Sequence, residues 1–351
     1  MPLQKKFVRT LAFSLSVAAA LLVVEVLYRA QLVDTYRPEL RALNSPLVLA
    51  SSRKPTLLVM GDSFTAGRDS YPTMLRDTLQ DWRVVNSAVS GTGVLQALYM
   101  APRRFDQFDP SIFVYQVYVG NDLFDIRYPV NWRSASAARN LYWFFANHLR
   151  VVGYLNYRLG QLREPTATSS NAPSDAGATT ETTDAFAVER YDPRVKAYLR
   201  ADPSLLEDSI FVQGRQDDYA VFLDRLSRLL SYCRPEGCRA YVLVVPHASQ
   251  VDETYVTQMT QLGARFTNPA LLRTLEYPFL IHLRQRFSGW SNVRVVNPLG
   301  RLREAQARQA VFNANDEHLN PAGQREIAAI VRQEVLRGGS PPSPRSAPRP
   351  Y

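Results

Sequence analysis

The chain reads as an α/β protein: a parallel sheet with helices on both faces, helical insertions, and a membrane helix at its N-terminus. Three observations carry this expectation. Short apolar, β-favouring runs alternate with helical segments, the pattern of strands joined by crossovers. Most of these runs end in a polar or glycine-containing turn, where open α/β sheets collect their ligand-binding groups. Near the N-terminus, Lys5, Lys6 and Arg9 precede an uncharged apolar stretch from Leu11 to Val24, close to the roughly 20 residues that span a bilayer.

Taken in order, residues 1–30 are expected to form the anchor. Basic residues before the span and none clustered just after it place its N-terminus in the cytoplasm and the body of the chain outside it. The alternative is a cleaved signal peptide at Ala18-Ala19-Ala20, which would leave the apolar Leu21 to Val24 on the mature end; an uncleaved anchor is the favoured reading. Residues 31–54, with Pro38 and Pro46, read as a tether with helical pieces.

A folded domain is then expected over residues 55–337. Strands are predicted at Thr56 to Met60, Arg83 to Asn86, Ser111 to Val119, Arg239 to Val245 and Arg294 to Asn297. Helices are predicted at Tyr71 to Leu79, from Val94, at Asp217 to Tyr232, and at Pro321 to Leu336. Leu123 to Arg163 reads as helical, with an aromatic cluster at Tyr142 to Phe145 expected to pack rather than bind. Residues 164–187 are rich in Thr, Ser and Ala and nearly free of large apolar groups, so a disordered insertion is expected, and a disordered tail over 338–351.

The net charge of +9 comes mostly from arginines scattered along the chain. No dense basic block interleaves with aromatics, so nucleic acid is excluded as the expected partner. The two cysteines, Cys233 and Cys238, flank Arg-Pro-Glu-Gly. A turn there would bring the sulfurs together, and a disulfide is the favoured reading in an oxidising compartment, with reduced thiols as the alternative. Two thiols alone make no tetrahedral zinc site. No His/Asp/Glu cluster has metal-ligand spacing, and Gly91-x-Gly93 lacks the rest of a dinucleotide fingerprint. The expected site therefore needs no metal and no cofactor.

Four polar points fall at strand ends or in a loop: Ser63 in Gly61-Asp62-Ser63-Phe64, Gly91, Asn121, and Asp316 with His318. Strand ends in such a sheet share one rim, so these distant residues can converge. A serine hydroxyl needs a base to become a nucleophile. His318 suits that role, with Asp316 to orient the ring. The Asn121 amide and the backbone N–H groups of Ser63 and Gly91 suit an oxyanion hole. Asp62 reads as a turn residue or a substrate contact. His148 and His282 lie in helix-like contexts and read as packing or surface groups. His247, at the end of a strand, is a candidate substrate contact.

These blocks, in this order, resemble the SGNH/GDSL hydrolase family. The resemblance covers Thr56 to Leu336 and implies a flavodoxin-like three-layer α/β/α fold with a Ser-His-Asp site that cleaves or transfers acyl groups. One departure is plain: many members place the acid three residues before the histidine, where this chain has Asn315. Asp316, two residues before His318, resembles a membrane-attached branch and alginate-type O-acetyltransferases, which carry Asp-x-His. The substrate implied is an acyl ester, commonly acetyl, on an envelope or exported polysaccharide. A lipid-active esterase or lysophospholipase, and a non-catalytic glycan-binding component, are the alternatives.

Overall fold

The computed structural model describes residues 2–123 except 31, 33 and 51, together with 126, 145, 149–163 and 185–337. The five apolar runs form one parallel sheet: β1 (Thr56–Met60), β2 (Arg83–Asn86), β3 (Ile112–Tyr118), β4 (Arg239–Val245) and β5 (Val293–Val296), in the order β2-β1-β3-β4-β5. The central strands β1 and β3 are buried along their whole length, which is why they read as unbroken apolar runs rather than as alternating ones. At the edge, β5 is mostly half-exposed and carries an arginine outward.

Helices follow in chain order: α1 (Pro2–Arg29), α2 (Arg37–Leu43), α3 (Pro46–Leu49), α4 (Tyr71–Thr78), α5 (Val94–Phe108), α6 (Arg150–Arg163), α7 (Pro193–Ala201) and α8 (Leu205–Phe211). Beyond these lie α9 (Gln216–Leu230), α10 (Ala248–Val251), α11 (Glu253–Gln261), α12 (Pro278–Phe287), α13 (Leu299–Gln306) and α14 (Pro321–Arg337). The crossover through α4 moves the chain from β1 to β2, and that through α5 moves it back past β1 to β3. Right-handed crossovers in opposite directions put their helices on opposite faces. Accordingly α4 packs with α14, and α5 with α9. This is the expected three-layer α/β/α arrangement. Its reversal point lies between β1 and β3, where a doubly wound sheet opens a crevice at its carboxyl rim.

Contacts divide the chain into two compact units. One comprises Met1–Arg37 and Arg133–Ala178, the other Pro38–Trp132 and Thr179–Tyr351. In the first, α1 packs with α6; α6 therefore belongs with the N-terminal helix and not with the sheet domain that the sequence assigned it to. Within α1, Val8–Arg29 (22 residues) has the length and apolar composition of a membrane anchor or a signal sequence.

The second unit corrects the expected tether. Leu40 is buried, and Asn44, 5% exposed, donates to the Asn86 carbonyl at 2.6 Å and accepts from the Asn86 N–H at 2.9 Å. Residues 38–44 are thus fastened to β2 and are no free linker. A second correction concerns residues 185–187, which the sequence placed in the disordered insertion. Ala187 donates its N–H to Asn315 Oδ1 (2.9 Å), and Asn315 Nδ2 donates to the Ala185 carbonyl (3.2 Å). Phe186 and Val188 then pack on a satellite core of Tyr191, Val195, Leu199, Leu206, Met259 and Leu262. Residues 164–184, the tail 338–351 and most of the 142–145 aromatic cluster lie outside the described residues; of that cluster only Phe145 is described.

Cys233 and Cys238 are joined in a disulfide. The loop they close leads into β4, and Asn292 Nδ2 donates to both of their carbonyls at 2.7 and 3.1 Å.

Asn44→Ala removes a buried side chain and leaves the Asn86 N–H without its acceptor. We expect a stability loss of about 1–3 kcal/mol, read as a lower Tm by circular dichroism; an unchanged Tm would restore the free-tether view.

Candidate active site

Ser63 sits in the turn that ends β1, and three buried polar side chains from other elements hold that turn. Gln116 is one residue beyond Tyr115, the partner of Met60 in the β1–β3 register, so it lies beside Gly61. Its Oε1 accepts from Asp62 N–H (3.2 Å) and from Thr65 Oγ1 (3.0 Å). A Cβ at position 61 would stand 2.5 Å from Gln116 Oε1, so a larger residue would displace the amide that holds the turn. Asn86 at the end of β2 donates to the Thr65 carbonyl at 2.7 Å. Gln324 on α14 donates to the Phe64 carbonyl (3.0 Å) and accepts from Tyr71 N–H (2.9 Å). Asp62 closes the turn from within, accepting from Phe64 N–H at 2.9 Å.

The histidine comes from the loop before α14. An antiparallel bridge between Phe312 and Leu319 pinches this loop shut. Asn313 N–H also bonds the His318 carbonyl (2.9 Å), and Asn320 N–H bonds the Val311 carbonyl (3.0 Å). Asn320 Oδ1 then accepts from the Ala322 and Gly323 N–H groups and starts α14.

In this frame His318 Nε2 lies 2.8 Å from Ser63 Oγ, and His318 Nδ1 lies 3.2 Å from Asp316 Oδ1. A carboxylate at Nδ1 favours the tautomer with its proton there, which leaves Nε2 as the acceptor for the serine hydroxyl. Asp316 is itself positioned: Oδ1 accepts from His318 N–H at 2.6 Å, and both oxygens accept from Asn313 Nδ2. The shorter Asp-x-His spacing thus still brings a carboxylate to the ring. Asn315, where other spacing would put the acid, instead bonds the 185–187 segment. Phe64 supports the imidazole with ring centroids 4.8 Å apart. Ser63 and His318 are both part-exposed.

Gly91 and Asn121 follow β2 and β3, the strands on either side of β1. The loop after β2 runs beside the serine turn, with Ser87 N–H on the Val59 carbonyl (2.8 Å) and Val89 N–H on the Gly61 carbonyl (3.0 Å). Gly91 has φ +70°, a conformation other residues rarely adopt. Among the described residues no backbone acceptor takes the N–H of Ser63 or Gly91, and Asn121 Oδ1 is buried without a partner.

Two candidate substrate contacts lie buried. His247 is 1% exposed and caps α10, accepting from Ser249 N–H at Nδ1 (3.1 Å). Burial pushes its ring down to about 3, which keeps it neutral. Asp62 is likewise buried, at 4% exposure, and takes the turn role, the first of its two expected readings. His282 is exposed on α12, and His148 lies outside the described residues.

The electrostatics centre on one ring. Burial alone would lower His318, but the Asp316 hydrogen bond and the charges of Glu317, Asp316 and Asp62 outweigh it and raise the ring to about 9. For Asp316, burial pulls upward, and the His318 and Asn313 bonds overcome this to hold it below the usual carboxylate range. Burial pushes Asp62 up to about 6 and Glu317 up to about 7. Glu317, Gln116, Asn86 and Gln324 escaped the sequence reading. Only Gln116 left a signal, as the lone amide inside the apolar run Ile112–Tyr118.

Among the described residues no group of His, Cys, Asp and Glu is arranged to hold a metal ion. The chain matches no known family profile and no curated protein. Among solved structures it is similar to that of TesA (14% identity, TM-score 0.39, covering 80% of this chain and 98% of that one). It is also similar to a putative acylhydrolase from Bacteroides fragilis NCTC 9343 (8%, TM-score 0.42, 88% and 97%). A third is a GDSL-like lipase from Bacteroides thetaiotaomicron VPI-5482 (11%, TM-score 0.42, 86% and 96%). Likeness this distant leaves the chemistry to be argued from the chain's own side chains.

Titration of the histidine ring signals by NMR should show one of the four, His318, with its midpoint raised from 6.5 toward about 9. Asp316→Asn should lower it. The folded ring holds its proton more tightly than the unfolded one. Its contribution to stability is therefore full below about pH 6.5 and fades as pH rises through about 9. A His318 midpoint at or below 6.5 would contradict this electrostatic account.

Proposed function

We propose that this chain is a membrane-anchored, extracytoplasmic serine hydrolase or acyltransferase of the SGNH/GDSL type, acting on acyl esters. The observation that carries the proposal is the chain of contacts from Ser63 Oγ to His318 Nε2 (2.8 Å) and from His318 Nδ1 to Asp316 (3.2 Å). His318 takes the hydroxyl proton as Ser63 attacks the acyl carbonyl, and Asp316 stabilises the ring while it is charged. The negative oxygen of the tetrahedral intermediate faces the N–H groups of Ser63 and Gly91 and the Asn121 amide. Collapse breaks the ester bond, and the leaving alkoxide collects its proton from His318. The acyl-serine is then attacked by water or an acceptor hydroxyl, whose proton passes to His318, and Ser63 is restored. Water makes the enzyme an esterase; a sugar hydroxyl makes it a transferase.

The substrate class in this reading is a small, acetyl-type ester on an envelope or exported polysaccharide. The apolar helix Val8–Arg29 and the Cys233–Cys238 disulfide support an oxidising, extracytoplasmic location. No part of the proposed reaction requires a cofactor or nucleic acid.

A fluorophosphonate probe is expected to label Ser63. The full chain should hydrolyse a small acetyl ester in preference to a long-chain one, with Ser63→Ala losing at least about a thousandfold in kcat and Asn121→Ala about 10²–10³-fold. Because a protonated His318 accepts nothing, the rate should climb with pH and level off above about 9. Preference for long-chain esters or lysophospholipids would favour a lipid-active enzyme. Equal silence of wild type and Ser63→Ala, with glycan acceptors supplied, would leave a binding protein.

A further inference from the structure

Glu25 is an acid inside an apolar helix. It lies four residues before Arg29, the end of the candidate span Val8–Arg29, and is only 4% exposed. Its carboxylate accepts from Arg29 Nε and from the N–H groups of Arg150 (3.0 Å) and Val151 (2.8 Å). The last two are the first N–H groups of α6, so Glu25 closes that helix's N-terminus with the charge its dipole favours. An ionised acid near hydrocarbon needs such partners. The same bonds fix the depth of α6: its first turn is level with the last turn of the span, about 6 Å from the end at 1.5 Å per residue.

From there α6 keeps one face on the end of α1 and the turn that follows. The Tyr154 ring meets Tyr28 (5.6 Å) and Tyr36 (5.7 Å), and Tyr157 meets Tyr36 (5.8 Å). Arg158 lies over both Tyr154 and Tyr157 and donates to the Thr35 carbonyl at 2.6 Å. Tyrosine and arginine, apolar in body and polar at the tip, are the residues that settle at a membrane–water boundary. The other face of α6 is an apolar stripe of Val152, Leu155 and Leu159, at helical spacing. Leu155 is 43% exposed and Leu159 52%, and Phe145, shortly before α6, is exposed as well.

Resting on the proposed anchor, we infer that α6 is a second membrane element. It is an interfacial helix whose Leu155 and Leu159 stripe enters the leaflet from which α1 emerges, so that phospholipid occupies this otherwise bare face. Continuity with the span argues for lipid as the occupant. The stripe begins at the depth where α1 leaves the hydrocarbon, and a helix of this kind seats its apolar face about 5–10 Å into the headgroup boundary.

The test uses the full-length chain in vesicles of phosphatidylcholine and phosphatidylglycerol. Both native cysteines are held in the disulfide, so an introduced thiol is unique. An environment-sensitive fluorophore is placed at Leu155→Cys, Leu159→Cys, Val17→Cys in mid-span, or Arg228→Cys on the exposed face of α9. Lipids carrying a nitroxide near the headgroup are expected to cause loss of emission at positions 155 and 159. A deep nitroxide should quench position 17 most, and position 228 should respond to neither. Quenching at 17 with 155 and 159 behaving like 228 would overturn the interfacial helix and leave the anchor standing. No quenching at 17, 155 or 159 would remove the anchor and this inference with it. Glu25→Ala should release positions 155 and 159 from the shallow quencher while 17 stays quenched; undiminished quenching at 155 and 159 would show that Glu25 does not set the depth of α6.

Discussion

A hydrogen bond of 2.8 Å joins Ser63 to His318 across 255 residues of chain, and the rest of the site is arranged so that this bond can exist. Nothing local brings the two together. The serine is delivered by a central strand of a parallel sheet, the histidine by a pinched loop leading into the closing helix. The sheet order β2-β1-β3-β4-β5 opens the rim beside β1, and the packing of α14 against α4 returns the last segment of the chain to that rim. Gln324 joins the two structures directly, since it stands on the helix that follows His318 and bonds the residue that follows Ser63.

Holding Ser63 at the tip of a turn carries a structural consequence. The turn's own N–H and carbonyl groups are removed from water and must find partners. Gln116 Oε1, Asn86 Nδ2 and Gln324 Nε2 supply them from buried side chains. These three therefore tie the geometry of the site to the stability of the fold. The acids do something different. Asp62, Asp316 and Glu317 all act on one imidazole, so the ring carries its proton more readily than a free histidine. Such an environment stabilises the charged ring that acyl transfer would generate, and it moves the optimum of that chemistry toward alkaline pH.

The N-terminal unit follows separate rules. Among the described residues, its helix pair is joined by a buried carboxylate and by tyrosine rings. Polar contacts of this kind hold helices together where the hydrophobic drive between them is weak. That composition agrees with the proposed location at a bilayer surface.

The strands were legible in the sequence nearly to the residue, because parallel strands buried on both faces leave unbroken apolar runs. The polar stops after β1, β2 and β3 were legible for the same reason, standing out at the ends of those runs. Ser63, Asp316 and His318 could be named from residue type and position alone. Their bonding could not, since a contact across 255 residues depends on strand order and crossover sense, which no local pattern records. Tertiary structure alone turned His247 inward, fastened Asn44 to β2, gave Asn315 to the 185–187 segment, and brought α6 to α1. For Asn44, Asn315 and Glu25 the deciding factor was a hydrogen-bond partner that lies far away in sequence, whereas His247 bonds its neighbour Ser249 and is enclosed by the packing around it.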